Sequence, residues 1–215
     1  MLSLDHIVFS GLDIEEASEK YGKEFALKSV KGGVHENWGT YNYLAHFSNH
    51  CYVEWLGIKD LQRAEQSENP LINHLVTILR KGKQGPFQFA LRTNKLDEFV
   101  EHFNDVNIRF IGPVQGKRKT PEGTLLTWRM LFPLYDVSKE MLPFLIEWDQ
   151  PEEDRIDVSL VNGPAITTVY YGGTTIERFT KIYNLSFKNR IVNKISLKNA
   201  SIVFTDKDSL SINLM

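Results

Sequence analysis

Two periodicities alternate along the chain. Short apolar runs with β-branched and aromatic residues predict strands at "HIVFSG" (6–11), "WGTYNYLAHF" (38–47) and "CYVEWLGI" (51–58). Between the first two, "IEEASEKYGKEF" has helical spacing, with Asp13 as N-cap and Glu16 three residues on. An extended "ALKSV" (26–30), broken by Gly32 and Gly33, completes a β-α-β-β-β order. The same order recurs over 86–149: "PFQFALRT" as strand, "NKLDEFVEHFND" as helix capped by Asn94, then strands "IRFIGPV", "TLLTWRMLF" and "PFLIEWD". Laying one copy over the other pairs Ile7 with Phe89 and His6 with Gln88, and each copy ends in a Glu-Trp pair, Glu54-Trp55 and Glu147-Trp148. A repeated unit of this kind predicts two supersecondary modules that bury each other's face.

Between the copies, "NPLINHLVTILRKG" reads as a helix with Asn69 as cap, Pro70 in the first turn and Gly82 as the stop. Leu71, Ile72, Leu75, Val76 and Leu79 form its apolar face, and His74 beside them reads as structural. After residue 150 the pattern repeats in shortened form: strand "PAITTVYY", helix "TTIERFTKIYNL" with Thr174 and Glu177 as a capping box, and strands "KISLKNASIVF" and "DSLSINLM". The expectation is an α+β chain: a βαβββ module at 1–60, a linker helix at 61–84, a second βαβββ module at 85–150 and a truncated βαββ module at 151–215. The paired modules form a curled mixed β-sheet cleft, and the third unit covers a sheet edge or makes the contact of a homodimer.

Composition narrows the class. With 42% hydrophobic and 24% charged residues, wholesale disorder is excluded. A net charge of −2 gives no general attraction to nucleic acid or anionic membrane, and the cluster "GKRKTPEG" (116–123) reads as a solvated loop. A lone cysteine, Cys51, excludes an intrachain disulfide framework and reads as a small buried hydrophobe. The N-terminal stretch has no secretion-signal pattern and no window has the apolar length of a membrane span, so a cytoplasmic location with neither nucleic-acid nor membrane partners is expected.

Glu54 is the outlier in this pattern, a carboxylate amid Tyr52, Val53, Trp55 and Leu56. Which side chains share its face depends on the "SNH" turn (48–50). A two-residue loop sets Tyr43 and Phe47 beside Glu54, whereas a three-residue loop sets Asn42, Leu44 and His46 there. By the repeat, Arg129 corresponds to Ala45 and Trp128 to Leu44. His35, Trp38 and Asn42 lie in or beside the loop ahead of the third strand (38–47) and are candidate rim residues.

With "LDHIVFSGLDIEEA", "HENWGTYNYLAHF", "YVEWLGI" and "PFLIEW" in paired βαβββ units, residues 1 to about 150 resemble the vicinal oxygen chelate superfamily, and within it the glyoxalase-like domain proteins. The resemblance implies metal positions at the head of each first strand and in each last strand. Carried over, these are His6, Glu54, Gln88 and Glu147, with Glu54 and Glu147 also as catalytic carboxylates. A set of one imidazole, one amide and two carboxylates suits a divalent ion among Zn, Ni, Mn, Fe and Co without selecting one, and departs from the two-His triad of oxygen-activating relatives. Candidate substrate contacts are His35, Trp38, Asn42, Tyr43, Trp128 and Arg129. The resemblance implies a metal-dependent lyase or isomerase of a small carbonyl compound, with a metal-free protein that sequesters a small molecule as the alternative.

Overall fold

The computed structural model describes residues 1–120, 123–186, 193–206 and 209–215. Its first module consists of β1 (Ser3–Ser10), α1 (Ile14–Phe25), β2 (Val30–His35), β3 (Thr40–Phe47) and β4 (Tyr52–Ile58). Asp13 caps α1 by accepting the Glu16 amide at 3.0 Å, and the helix ends where Ala26 turns left-handed. The linker holds two helices rather than one, α2 (Leu61–Glu65) and α3 (Pro70–Arg80), the second started by Asn69 and followed by Gly82 at φ 67°. The second module follows as β5 (Gly85–Arg92), α4 (Leu96–Asp105), β6 (Phe110–Lys119), β7 (Leu125–Pro133) and β8 (Phe144–Trp148).

The eight strands of both modules run β2-β3-β4-β1-β5-β8-β7-β6 in one curled sheet, to which a two-residue strand β9 (Val161–Asn162) adds at β3. Its centre is the antiparallel pair β1–β5, with Ile7 opposite Phe89, His6 opposite Ala90 and Val8 opposite Gln88. An approximate two-fold axis therefore passes between Ile7 and Phe89, the residues that the repeat superposes. At the far ends the sheet curls until β2 approaches β6, and Arg118 donates from Nη1 to the Gly32 carbonyl at 2.7 Å.

Strand alternation sends side chains to two cores. On the convex face Ile7, Phe9, Val53, Trp55, Phe89, Leu91 and Leu145 pack under α1, α4 and the C-terminal unit. On the concave face Val8, Leu56, Ala90, Phe132, Phe144 and Ile146 pack with Leu71, Ile72, Leu75 and Val76 of α3. The linker helix thus fills part of the cleft instead of merely joining the modules.

The C-terminal unit is a separate sheet, β11 (Lys194–Ser196), β12 (Ser201–Phe204), β10 (Ile166–Tyr171) and β13 (Leu210–Leu214) in spatial order, with helix α5 (Ile176–Ile182). β12 lies parallel to β10 as β4 does to β1, and β13 lies antiparallel to β10 as β5 does to β1. The last strand thus occupies the place that a neighbouring module takes in the main sheet. Its core is continuous with the convex one through Ile166, Val169, Tyr171, Phe179 and Ile202. Among the described residues no helix is long and apolar enough to cross a membrane.

Local expectations needed several corrections. "KISLKNASIVF" is a hairpin rather than one strand, turning where Leu197 donates to the Ala200 carbonyl at 2.8 Å. β2 runs through Gly32 and Gly33 instead of ending before them, because a side chain at Gly32 would collide with Asn42 and Leu44 of β3. β6 continues through Lys117, Arg118 and Lys119, so the basic residues read as a loop lie in strand. Thr175, one residue beyond the expected Thr174, caps α5, and Asn94 does not cap α4.

Asn199 joins the two sheets. Its side chain accepts from the Leu4 amide at 2.8 Å and donates to the Leu4 and Asn49 carbonyls, each at 2.9 Å. Asn199→Ala leaves these backbone groups unmatched, and a loss of about 1–3 kcal/mol in urea unfolding is expected, with secondary structure retained by circular dichroism.

Candidate active site

A bulge in β1 builds the site. Opposite β5 the register shifts between Leu4 and His6, leaving Asp5 as an extra residue. In an unbroken strand adjacent side chains diverge. Here Asp5 and His6 meet instead, with Nδ1 of His6 at 2.7 Å from Oδ1 of Asp5 and both side chains buried. The other Asp5 oxygen accepts from Trp148 Nε1 at 3.1 Å and lies 3.4 Å from Arg92 Nη1. Burial alone would raise the Asp5 carboxyl. The His6 hydrogen bond and the charges of His6, Arg92 and Arg155 outweigh it and hold the group below its ordinary range. An anionic Asp5 accepts a hydrogen bond from Nδ1–H and so directs Nε2 of His6 into the cleft.

There Nε2 lies 3.4 Å from Oε2 of Glu54, whose Oε1 accepts from Asn42 Nδ2 at 2.6 Å. The turn decides this contact. Phe47 donates to the Cys51 carbonyl at 2.9 Å across Ser48, Asn49 and a left-handed His50 at φ 61°, which is the three-residue alternative. Leu44 therefore stands opposite Glu54, and Asn42 shares its face. Tyr43 projects to the convex core. Cys51 is buried with its thiol pushed up to about 12, mainly by desolvation.

Glu147 is elsewhere. Within β8, Phe144, Ile146 and Trp148 line the cleft, whereas Glu147 pairs with Arg129 and accepts the Leu96 amide at 3.3 Å at the start of α4. Arg129, bound also to Asp97 at 2.9 and 3.1 Å, belongs to the same surface group and is absent from the cavity wall. Strand register explains the displacement. Val8 of β1 stands beside Glu54, and its repeat equivalent Ala90 stands beside Phe144, so Glu54 corresponds to Phe144. The two Glu-Trp pairs are three residues out of register, and an odd offset reverses the face.

Gln88 sits at the strand position that the overlay gives it, but its amide is engaged. Nε2 donates to Tyr135 Oη at 3.0 Å and the Leu142 carbonyl at 3.1 Å, while Oε1 accepts from Phe89 N at 2.9 Å. Of the four residues carried over as metal ligands, the fold brings together His6 and Glu54. Among the described residues no three His, Cys, Asp or Glu side chains gather as a metal cluster. This donor set does not fit the expected four-ligand site.

The walls are aromatic. Trp38, Trp128 and Trp148 stand in sequence, with ring centroids 6.3 Å and 5.0 Å apart, and His35 lies 6.0 Å from Trp128. Leu71 and Ile72 of α3 close another side, and Arg118 adds a buried positive charge. The cavity holds about 30 Å³, room for a water or two, so any larger guest requires the surrounding side chains to part. His35, Trp38, Asn42 and Trp128 thus line the same space as His6 and Glu54. Asp5 and Arg118 were not anticipated. The signal for Asp5 was a carboxylate inside the apolar run "LDHIVF", and Arg118 was hidden by reading its strand as a loop.

The glyoxalase-like domain model matches residues 4–185. The chain belongs to the glyoxalase-like domain family. The family match, together with the fold, places it in the vicinal oxygen chelate superfamily. A hypothetical protein from Staphylococcus aureus shares the fold at a TM-score of 0.78 and 21% identity, over 95% of this chain and 87% of its own. Methylmalonyl-CoA epimerase from Mycobacterium tuberculosis aligns at a TM-score of 0.53 and 19% identity, over 71% of this chain and 91% of its own. A search of curated proteins finds no match.

Two buried imidazoles make stability depend on pH. Burial lowers His35 and His46 from 6.5 to about 4 each, so both are neutral in the folded protein at pH 7. Unfolding restores their ordinary affinity for protons. Their contribution to stability is therefore flat above about pH 6.5 and declines as pH falls toward about 4, because the unfolded chain then binds more protons. Urea unfolding between pH 7 and 4.5 is expected to show this decline, and it should be shallower in His46→Phe.

Proposed function

We propose that this glyoxalase-like protein is an isomerase or lyase that moves a proton on the carbon next to a carbonyl in a small substrate. The supporting observation is the chain Asp5–His6–Glu54–Asn42 at the floor of an aromatic cavity. Asn42 holds one Glu54 oxygen and leaves the other as the base. Glu54 Oε2 takes the proton from the α-carbon, and the electron pair passes to the carbonyl oxygen as an enolate. Arg118 supplies positive charge on the cavity wall for that oxygen. Glu54 hands that proton to Nε2 of His6, 3.4 Å away and oriented by Asp5, and the imidazolium so formed returns it to the substrate. Return to the carbon completes an isomerisation, whereas departure of a β-substituent completes an elimination.

This reading assigns no step to a divalent ion, because Gln88 and Glu147 are committed to other partners. The aromatic walls also support a second reading, sequestration of a flat apolar molecule stacked against Trp38, Trp128 and Trp148.

Proton NMR in D₂O with methylglyoxal, hydroxyacetone and dihydroxyacetone tests both. Wild-type protein should exchange the α-hydrogens of at least one compound, and Glu54→Gln should slow exchange by about 10²–10⁴-fold. Chelation should leave the rate unchanged, and loss on chelation would return a metal to the mechanism. Tight binding of aromatic probes without exchange would favour sequestration.

A further inference from the structure

A closed cavity with acid–base groups at its floor needs a way in. The cleft has room for a water or two, less than any carbonyl compound requires, so one wall must move. Of the described residues that line it, all are buried except Trp38, Tyr52 and Trp148. These three side chains stand between the cavity and solvent, and two of them are tied to the acid–base pair. Tyr52 lies flat on the His6 ring, with 4.6 Å between centroids. Trp148 donates to Asp5 and is covered by Arg155, whose guanidinium carbon lies 4.8 Å from its ring centroid. Displacing either would dismantle the constellation that the cavity serves.

Trp38 is held differently. Among the described residues its indole makes no hydrogen bond, and its ring contacts are tilted ones, with centroids 5.7 Å from His35 and 6.3 Å from Trp128. The backbone beneath it is fixed. Trp38 N donates to the His35 carbonyl at 3.0 Å, and the Gly39 carbonyl accepts from the Lys59 and Asp60 amides at 2.8 and 2.9 Å. Arg63 Nη1 donates to the Glu36 carbonyl at 2.6 Å. Gly39 is left-handed at φ 63°, where a Cβ would stand 2.5 Å from the Asp60 carbonyl oxygen. A turn anchored in this way does not swing as a loop, which leaves rotation of the Trp38 side chain itself. We propose that the Trp38 indole is the gate of the acid–base cleft, turning outward to admit a molecule and limiting the size of what enters. Trp38 is thus a specificity-determining residue and takes no part in proton transfer.

Thiol labelling of the full chain tests the gate without any substrate. Met130→Cys places a thiol in the buried wall of the cleft, and Cys51, buried in the convex core, serves as an internal reference. With methyl methanethiosulfonate the thiolate attacks the sulfenyl sulfur, forming a mixed disulfide and releasing methanesulfinate. Adding Trp38→Ala should speed labelling of the introduced thiol at least about tenfold while Cys51 stays slow, and Trp38→Phe should fall between. Equal rates with and without Trp38 would overturn the proposal. Acceleration of both thiols together reports general unfolding and would overturn it equally. The bulkier benzyl methanethiosulfonate reads the size limit. Its rate relative to the methyl reagent should rise about tenfold in Trp38→Ala, and an unchanged ratio would remove Trp38 as the determinant of size. None of these readouts depends on turnover, so failure of the gate is distinct from failure of the acid–base assignment.

Discussion

The antiparallel pairing of β1 with β5 is the constraint on which the rest of the structure depends. It places the two modules about one axis, gives them a common sheet, and sets which residues of each first strand face the cleft. Because that pair is central and buried along most of its length, any slip would move two sets of apolar side chains into the wrong core. Of the two irregularities in that pairing, the bulge at Asp5 is where chemistry enters. One extra residue lets a carboxylate and an imidazole meet on a strand that otherwise separates neighbours.

Burying such a group is expensive unless its partners are complete. Asp5 has three, in His6, Arg92 and Trp148, drawn from both modules. Trp148 serves twice, as a donor to Asp5 and as a wall of the cavity, so the second module contributes to the site through an indole and not through a carboxylate. Glu147, one residue earlier, does the outward-facing work of capping α4 and pairing Arg129. The carboxylate that resembled a metal ligand is a structural group of the convex side.

The C-terminal unit has a comparable double role. Its β13 imitates a neighbouring module and so ends its own sheet, while its core merges with the convex core beneath β1 and β5. Asn49, in the turn that sets the register of Glu54, is held by Ile166 and Asn199 of this unit. The geometry of the acid–base cleft is therefore linked to residues more than a hundred positions away in sequence.

The sequence alone determined the modules, because βαβββ order is carried by local periodicity, caps and turn residues, and each of these is a short-range effect. It also singled out Glu54, since a polar group amid apolar neighbours in a strand is visible without a partner, while His6 came from the repeat and the family resemblance. Tertiary structure decided the face of each side chain. Whether Asn42 or Tyr43 joins Glu54 turned on one residue of loop length, and whether Glu147 faces the cleft turned on the register of β8 against β5. Pairing between strands distant in sequence sets both, and in a period of two an error of one or three residues reverses the outcome. The same limit hid Arg118, whose strand extension is defined by its partner across the sheet, and the role of Asp5, which is visible locally as a carboxylate in an apolar run although the bulge that turns it to His6 is not.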